Sequence, residues 1–361
     1  MKKVATMTFP NSPSYGASLQ MYALYIAIAK MGHDVEVINY INRYMKEEKH
    51  IHQQVRGLRN SVKKSLTSML NYPMRKEFRD FEKKINMHPK KTIHTSEELR
   101  EIADRYSHVV VGSDQVWNPK VTGFDTGYLL DFCGEDCKKV AYAPSFGVNS
   151  LEDEYVNTYA EELLKFDMLS AREKRGRELI HELTGRDCPL VLDPSMLLTK
   201  EDWEKEIKKC KKRSEGHIVC FLFNRDQKAD DFVKELSAKK GLPVYGIGRH
   251  LLTGRRNKEM TYSGPIGPAK WLDVIHDAEY IVTDSFHGST FSLIFEKKLY
   301  VSLASSTNSR LVTLMNTAGL GHRIIGNHDT ALTDDIDYTS VTENLKTKRE
   351  ESLAYLGRSL E

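Results

Sequence analysis

The first forty residues alternate strand-like and helix-like patterns so closely that few folds can accommodate them. KKVATMT (2–8) has the apolar run of a strand, SYGASLQMYALYIAIAKMG (14–32) that of a helix, and HDVEVINY (33–40) that of a second strand beyond the Gly32 stop. Leu19, Tyr22, Ala23 and Ile26 mark one helical face, while Leu24, Tyr25 and Ile28 occupy another. A helix that is apolar around most of its circumference has to be buried. A helix covering a sheet in a layered α/β domain meets that condition. The connecting loop FPNSPSYG (9–16) then lies at the carboxyl end of the first strand, where open α/β sheets bind ligands, and its Gly16 would let the backbone approach an anion closely.

The alternation continues along the chain. SEELREIADRY reads as helix, SHVVVGSDQ as a strand entering a polar loop, KKVAYAPSFG as another, LEDEYVNTYAEELLKF as helix and FDMLSARE as strand then turn. A second series follows: HIVCFLFN, a helix from Lys228 to Lys240, LPVYGIG, the helix PAKWLDVIHDA, the strand EYIVTDS, KLYVSL and a helix around Leu311 to Met315. Strands separated by helices imply mainly parallel sheets. With 361 residues there is length for two such domains. They are placed at residues 1–167 and 168–361, with the boundary expected between about 165 and 200, and Val341, Leu345, Leu353 and Leu356 mark a terminal helix, counted with the second, that docks on one of the domains.

Residues 43–91 depart from the rest in charge. Fourteen Lys or Arg stand against five Asp or Glu, whereas the whole chain is only +3. Val55, Leu58, Val62, Leu66 and Met69 keep helical spacing, as do Met74, Phe78, Phe81 and Ile85, with Asn71, Tyr72 and Pro73 between the two sets. The expectation is a basic helical hairpin inserted into the first domain, with a solvated charged face or a face that meets anionic lipid or glycan. The near-neutral total argues neither for nor against nucleic acid, and no nucleic-acid partner is expected.

The remaining composition is that of a globular chain, 40% hydrophobic and 29% charged. The start carries two lysines but no apolar stretch behind them, so a secretory signal is not expected. No run approaches the ~20 apolar residues that cross a bilayer. The expected location is cytoplasmic, at most peripheral at the inner membrane face. Of five cysteines, Cys133 and Cys137 share the loop FCGEDCKK without a second ligand pair nearby, so free thiols and no metal are expected.

Polar residues gather at predicted strand ends. They are Asp114, Gln115, Trp117 and Asn118 in GSDQVWN, Ser145 in APSFG, Arg172 and Glu173 in SAREKRG, Asp193 in VLDPSML, Asp284 and His287 in TDSFHGSTFSLIF, and Arg310 in STNSRL. His287 stands between an apolar strand and an apolar helix, with Gly288 beside it and Ser285, Ser289 and Thr290 available as caps. A helix N-terminus at that edge suits a phosphate or carboxylate, and an imidazole there suits a proton carrier. The plainer alternative is a histidine and serines that merely cap a helix. Trp117 reads as a packing anchor or a sugar platform, and Asp193 before Pro194 as a turn residue. Arg172, just past an apolar strand, requires an anionic partner. The chain has no GxxxxGK[ST], no GxGxxG after its first strand, no GxSxG and no HExxH.

In SYGASLQMYAL, VVVGSDQVWN, SAREKRG, VLDPSMLL, TDSFHGSTFSLIF and NSRLVTLMNTAGL, in order from about residue 4 to residue 320, the chain resembles the polysaccharide pyruvyl transferases. One departure is Ser14, where that family often has Asn before the aromatic-Gly pair of the first loop. The resemblance implies two Rossmann-like lobes facing a cleft, as in GT-B glycosyltransferases. It implies phosphoenolpyruvate as donor substrate, with no further cofactor, and a saccharide acceptor, free or lipid-linked, that becomes a cyclic ketal. On that basis His287 is the expected acid/base or phosphate ligand, with Asp284 supporting it. Arg172, Arg310, Ser285, Gly288, Ser289 and Gly16 fall on the donor side. Asp114, Gln115, Trp117 and Asn118 fall on the acceptor side. Two competing readings are a GT-B glycosyltransferase using a nucleotide-sugar and a non-catalytic glycan-binding or assembly protein. The acceptor sugar and the oligomeric state are left open.

Overall fold

The computed structural model describes residues 3–47, 59–210, 216–224, 226–247, 260–303, 309–326 and 336–361, with side chains omitted for 59–70. The chain divides into two compact units, the first comprising Met1–Ser65, Glu82–Leu197 and Lys348–Glu361, the second Leu66–Phe81 and Leu198–Thr347. The first holds strands β1 (Lys3–Met7), β2 (Val35–Tyr40), β3 (Met87–Ile93), β4 (Tyr106–Val111) and β5 (Lys138–Ala141) in the order β3-β2-β1-β4-β5. The second holds β6 (Ile218–Phe221), β7 (Val244–Gly246), β8 (Thr261–Tyr262), β9 (Tyr280–Thr283) and β10 (Lys298–Val301) in the order β10-β9-β6-β7-β8. All described pairings are parallel. Counted within each unit, the two orders are the same: third, second, first, fourth, fifth.

The principal helices are α1 (Tyr15–Lys30), α2 (Arg59–Glu82), α3 (Ser96–Ala103), α4 (Asp153–Leu164), α5 (Lys174–Thr184), α6 (Gln227–Lys240), α7 (Pro268–Asp277), α8 (Phe286–Ile294), α9 (Ser309–Thr317) and α10 (Tyr338–Arg358). The alternation of the strands sorts the first sheet into two faces. Val4, Val35, Val110 and Val140 pack with Leu24, Ala27 and Ile28 of α1 and with Tyr355 and Leu356 of α10. Ala5, Met7, Ile38, Val109 and Val111 pack on the other face with Leu99, Tyr159, Leu163 and Leu179. Each large aliphatic side chain buried this way contributes about 1.5–3 kcal/mol. The all-round apolarity of α1 thus reflects burial, as the sequence indicates.

Several expectations change. The division falls at 197/198, within the expected range of about 165–200 but beyond the 167/168 position, and the end of the terminal helix belongs to the first unit. Residues 168–197 stay with that unit because Leu169, Ala171 and Leu179 enter its core, and the bridges Val140↔Met168 and Ala171↔Leu190 continue its sheet edge in place of the expected strand FDMLSARE. The terminal helix is tied there by Tyr355 Oη donating to Ala141 O at 3.0 Å and by Ser352 Oγ accepting the Leu192 N–H at 3.0 Å.

The basic stretch is not a hairpin broken at Pro73. α2 runs through Pro73 without interruption. A proline removes one helical hydrogen bond, but burial of Met74, Phe78 and Phe81 along one face holds the helix together across the gap. Nor is 43–91 a single insertion in the first unit. Residues 66–81 belong to the second, where Glu77 accepts the Gly267 N–H at 2.7 Å and pairs with Lys270, and residues 87–91 lie in β3. The apolar set Val55 to Met69 falls on residues whose side chains are outside the description.

Cys133 and Cys137 carry free thiols. A hydrogen bond to Cys137, reinforced by burial, pushes the Cys133 thiol far above its ordinary pKa. Among the described residues no group of three or more His, Cys, Asp or Glu is arranged to hold a metal. No helix among them is long and apolar enough to cross a membrane.

Candidate active site

In each unit the strand order reverses beside the first strand, between β1 and β4 and between β6 and β9. The crevice outside the carboxyl ends at such a point is where open α/β sheets bind ligands. In the second unit Phe221 and Thr283 end β6 and β9 in register, and Thr283 Oγ1 donates to Phe221 O at 2.6 Å. The same hydroxyl accepts the Ser285 N–H at 3.0 Å. Ser285, extended at φ −90° and ψ 128°, caps α8 by accepting the Gly288 N–H on its Oγ at 3.1 Å. A Cβ on Gly288 would lie 2.6 Å from Thr283 Oγ1 and 3.1 Å from the Phe221 ring, so only glycine lets the helix start this close to the sheet. His287 is the second residue of α8 and is 9% exposed. Its ring meets Phe286 edge-on, 5.2 Å between centroids. The helix N-terminus brings positive dipole to this edge.

Several expected neighbours of His287 do other work. Ser289 Oγ donates back to Ser285 O at 3.1 Å and Thr290 Oγ1 to Phe286 O at 3.0 Å, which seals both hydroxyls inside the helix. Ser289 is therefore not available to the donor. Asp284 does not support His287 through a described hydrogen bond. Its Oδ1 accepts the Phe223 N–H at 2.8 Å, and its Oδ2 accepts both the backbone and side-chain N–H of Asn224 at 2.9 Å. It clasps the loop that leaves β6. Arg310 is half-buried in the first turn of α9.

In the first unit the β4 loop is held by a buried polar network. Gln20 of α1 donates through Nε2 to Thr8 Oγ1 at 2.8 Å and accepts the Ser113 N–H on Oε1 at 3.1 Å. Arg172 Nη1 donates to Asp193 Oδ2 at 2.9 Å and to Ser113 Oγ at 3.2 Å. Glu173 Oε2 lies 3.7 Å from its Nε and Asp114 Oδ1 3.9 Å from its Nη2. Burial alone would lower the guanidinium's pKa, but the charges of Asp193, Glu173 and Asp114 outweigh it and hold the pKa above the ordinary arginine value. With 1% of its side chain exposed, Arg172 serves as an internal counter-ion to Asp193. Asp193 is more than a turn residue, since its Oδ1 caps Ser195 N–H at 3.0 Å while Oδ2 serves the arginine.

Within GSDQVWN, Trp117 is buried, its Nε1 donates to Tyr128 O at 3.0 Å, and its ring packs on Phe146 and Phe166. It cannot serve as a sugar platform. Asn118 caps the Lys120 N–H at 3.0 Å and donates to Gln115 Oε1 at 2.8 Å, so both are structural partners. Asp114 remains half-buried with a left-handed φ of 71°, a conformation uncommon for non-glycine residues but one that aspartate adopts more readily than most. Gly16 is the second residue of α1 and buried, after Ser14, whose side chain makes no capping bond.

A sequence model described as polysaccharide pyruvyl transferase matches residues 15–303, taking in the carboxyl ends of β4, β6 and β9. The chain belongs to this family. Comparison with curated proteins gives no match. Among solved structures, the UDP-GlcNAc 2-epimerase of Methanocaldococcus jannaschii aligns with a TM-score of 0.55 at 12% identity, covering 96% of this chain and 92% of that one. A putative UDP-N-acetylglucosamine 2-epimerase from Listeria monocytogenes gives 0.52 at 10%, covering 99% and 91%. Anabaena HepE, solved with UDP and glucose, gives 0.51 at 10%, covering 97% and 98%. At such identities the likeness concerns the fold, which is GT-B-like with two parallel-sheet α/β domains. The family description carries the coarse activity, that of a transferase acting on polysaccharide.

For this pyruvyl transferase family member, residue-type reasoning marked the carboxyl ends of β4 and β9 as polar but missed the hydrogen bonds that hold them. Gln20 leaves a signal, an amide that with Ser18 interrupts the mostly apolar buried face of α1. Ser113 had none beyond its place in the motif.

Proposed function

We propose that the chain transfers pyruvate from phosphoenolpyruvate to a saccharide as a cyclic ketal, releasing phosphate. The observation that carries this is the Ser285-capped start of α8 with His287 in its first turn, at the carboxyl edge of a parallel sheet. The donor's phosphate and carboxylate suit the positive end of that helix. Arg310 is the second donor-side candidate. The reaction needs a proton on C3 of the enol, which makes C2 electrophilic. One sugar hydroxyl bonds to C2, the bond from C2 to the phosphate oxygen breaks, and a neighbouring hydroxyl forms the second C2–O bond. Of the two hydroxyl protons lost, one balances the proton gained by C3 and the other leaves with phosphate. His287 relays the proton or hydrogen-bonds the phosphate. Asp114 is the acceptor-side candidate of the first unit, its carboxylate able to take hydroxyl protons in hydrogen bonds.

Because phosphoenolpyruvate is a cytoplasmic metabolite, the reading places the protein in the cytoplasm, with a lipid-linked acceptor bringing it to the inner membrane face. The test is incubation with phosphoenolpyruvate and a panel of methyl hexosides (gluco, galacto and manno, with and without a 2-acetamido group) alongside nucleotide-sugars. Phosphate release that needs both donor and sugar, with a ketal product by mass spectrometry, is expected. Sugar transfer from a nucleotide-sugar, with none from phosphoenolpyruvate, would overturn the reading in favour of a glycosyltransferase.

A further inference from the structure

Phe223 is the most exposed large hydrophobic residue among those described, at 67%. Tyr44 and Tyr72 carry a hydroxyl of their own, and the Arg79 guanidinium lies over the Tyr72 ring, 5.8 Å from its centroid. Phe223 has neither a hydroxyl nor a described cationic cover, and it sits two residues past β6, at the carboxyl edge of the second sheet. Its position is not loose. Asp284, at the end of β9, takes the Phe223 N–H on one oxygen and the two Asn224 N–H donors on the other. The ring rests edge-on against Phe221, 4.9 Å between centroids, and Phe221 is the ring that Gly288 of α8 approaches. A carboxylate and a second aromatic thus fix an apolar face toward solvent, one ring away from the helix that carries His287.

We infer that Phe223 is a stacking platform for a saccharide ring of the acceptor and that Asp284 is the positioning residue that holds it. The inference rests on the pyruvyl-transfer reading for its choice of ligand. Forming a ketal requires two hydroxyls of one sugar to reach the same donor carbon, so the acceptor ring must lie beside the donor with its orientation restricted. An aromatic face restricts a hexose through its apolar C–H side and leaves the hydroxyl edge free. The donor, small, planar and doubly anionic, has no use for such a face. Asn224, whose Nδ2 is bonded to Asp284, keeps its side-chain oxygen on the same exposed loop for a sugar hydroxyl.

The test compares Phe223→Ala, Phe223→Trp and Asp284→Ala with the wild-type protein. Saturation-transfer NMR with the methyl hexoside panel, without phosphoenolpyruvate, reads sugar contact independently of turnover. Steady-state kinetics then separates the two substrates. At least one hexoside is expected to take saturation from the aromatic protons of the wild type and to lose it in Phe223→Ala. The acceptor KM should rise about tenfold in Phe223→Ala and in Asp284→Ala, with the donor KM unchanged, and Phe223→Trp should restore binding. Saturation transfer that is absent from every hexoside, or unaltered in Phe223→Ala, overturns the inference, as does a change confined to oligomeric state, which would make the ring a protein contact. A wild type that contacts a hexoside through Phe223 but shows no turnover of phosphoenolpyruvate upholds the platform and removes the proposed donor.

Discussion

Arg172 and Asp193 form a buried ion pair, Nη1 to Oδ2 at 2.9 Å, with 1% and 0% of their side chains exposed. An arginine that follows the Ala171↔Leu190 bridge thus finds its anion within its own unit, from a residue 21 positions away. The pair closes the network that runs through Ser113 to Gln20 and sets the backbone carrying Asp114.

Breaking this pair from one side leaves a charge in a dry interior. Asp193→Ala is expected to cost about 3–5 kcal/mol of stability, read as a lower urea midpoint. Arg172→Lys keeps the charge but not the fork, and should lower stability while leaving the donor KM of the folded fraction unchanged. A selective rise in donor KM with unaltered stability would return Arg172 to the role of donor clamp.

His287 is best examined by two replacements. Gln retains a hydrogen-bond donor but cannot carry a proton near neutral pH. Loss of turnover by about 10²–10⁴-fold in both His287→Gln and His287→Ala indicates proton transfer. Recovery in Gln alone indicates a phosphate hydrogen bond. Full activity in a folded Ala variant would leave the residue no part in the chemistry.

Glu36 gives a stability prediction with a definite sign in pH. Burial would raise its pKa, but hydrogen bonds from Lys3 and Arg105, with their charges, more than reverse this, so the folded value lies below the usual glutamate range. A depressed folded pKa contributes stability above the unfolded value, about 4.3, and loses it as pH falls through the folded value. Glu36→Gln should be less stable than wild type by roughly 1–3 kcal/mol at pH 7, with the gap narrowing below about pH 4. Denaturation curves at pH 7 and pH 3.5 check this, and a gap that widens in acid would contradict it.

The exposed face of α2 and the turn after it present Arg75, Lys76, Arg79, Lys83 and Lys84, while Met74, Phe78 and Phe81 are used inside the protein. Any affinity of these residues for membranes should therefore be electrostatic, about 1 kcal/mol per cation near an anionic surface. Flotation with phosphatidylglycerol vesicles should capture the protein at low salt and release it at high salt. Equal binding to neutral vesicles, or none to either, would exclude the surface as a membrane contact.

Much of the architecture was written in the local sequence. Hydrophobic periodicity is a local property, so the strands KKVATMT, HDVEVINY and EYIVTDS, the buried α1 and the two α/β series could be read from the chain alone. So could the cap at Ser285, because capping involves residues three apart. Partner choice across long separations could not. Asp284 looks like support for a histidine three residues on, yet it bonds Phe223 and Asn224, about sixty residues earlier, because parallel strands β6 and β9 lie side by side. Arg172 signals the need for an anion, but only the meeting of its segment with the β4 loop and Asp193 decided that the anion is internal. Pro73 predicts a break that tertiary burial overrides, and Trp117 reads as anchor or platform until burial decides for the anchor. Residue types and spacing determined which elements form and where polar residues gather at the carboxyl ends of their strands. Packing decided which polar groups at those edges are used up in holding the protein together.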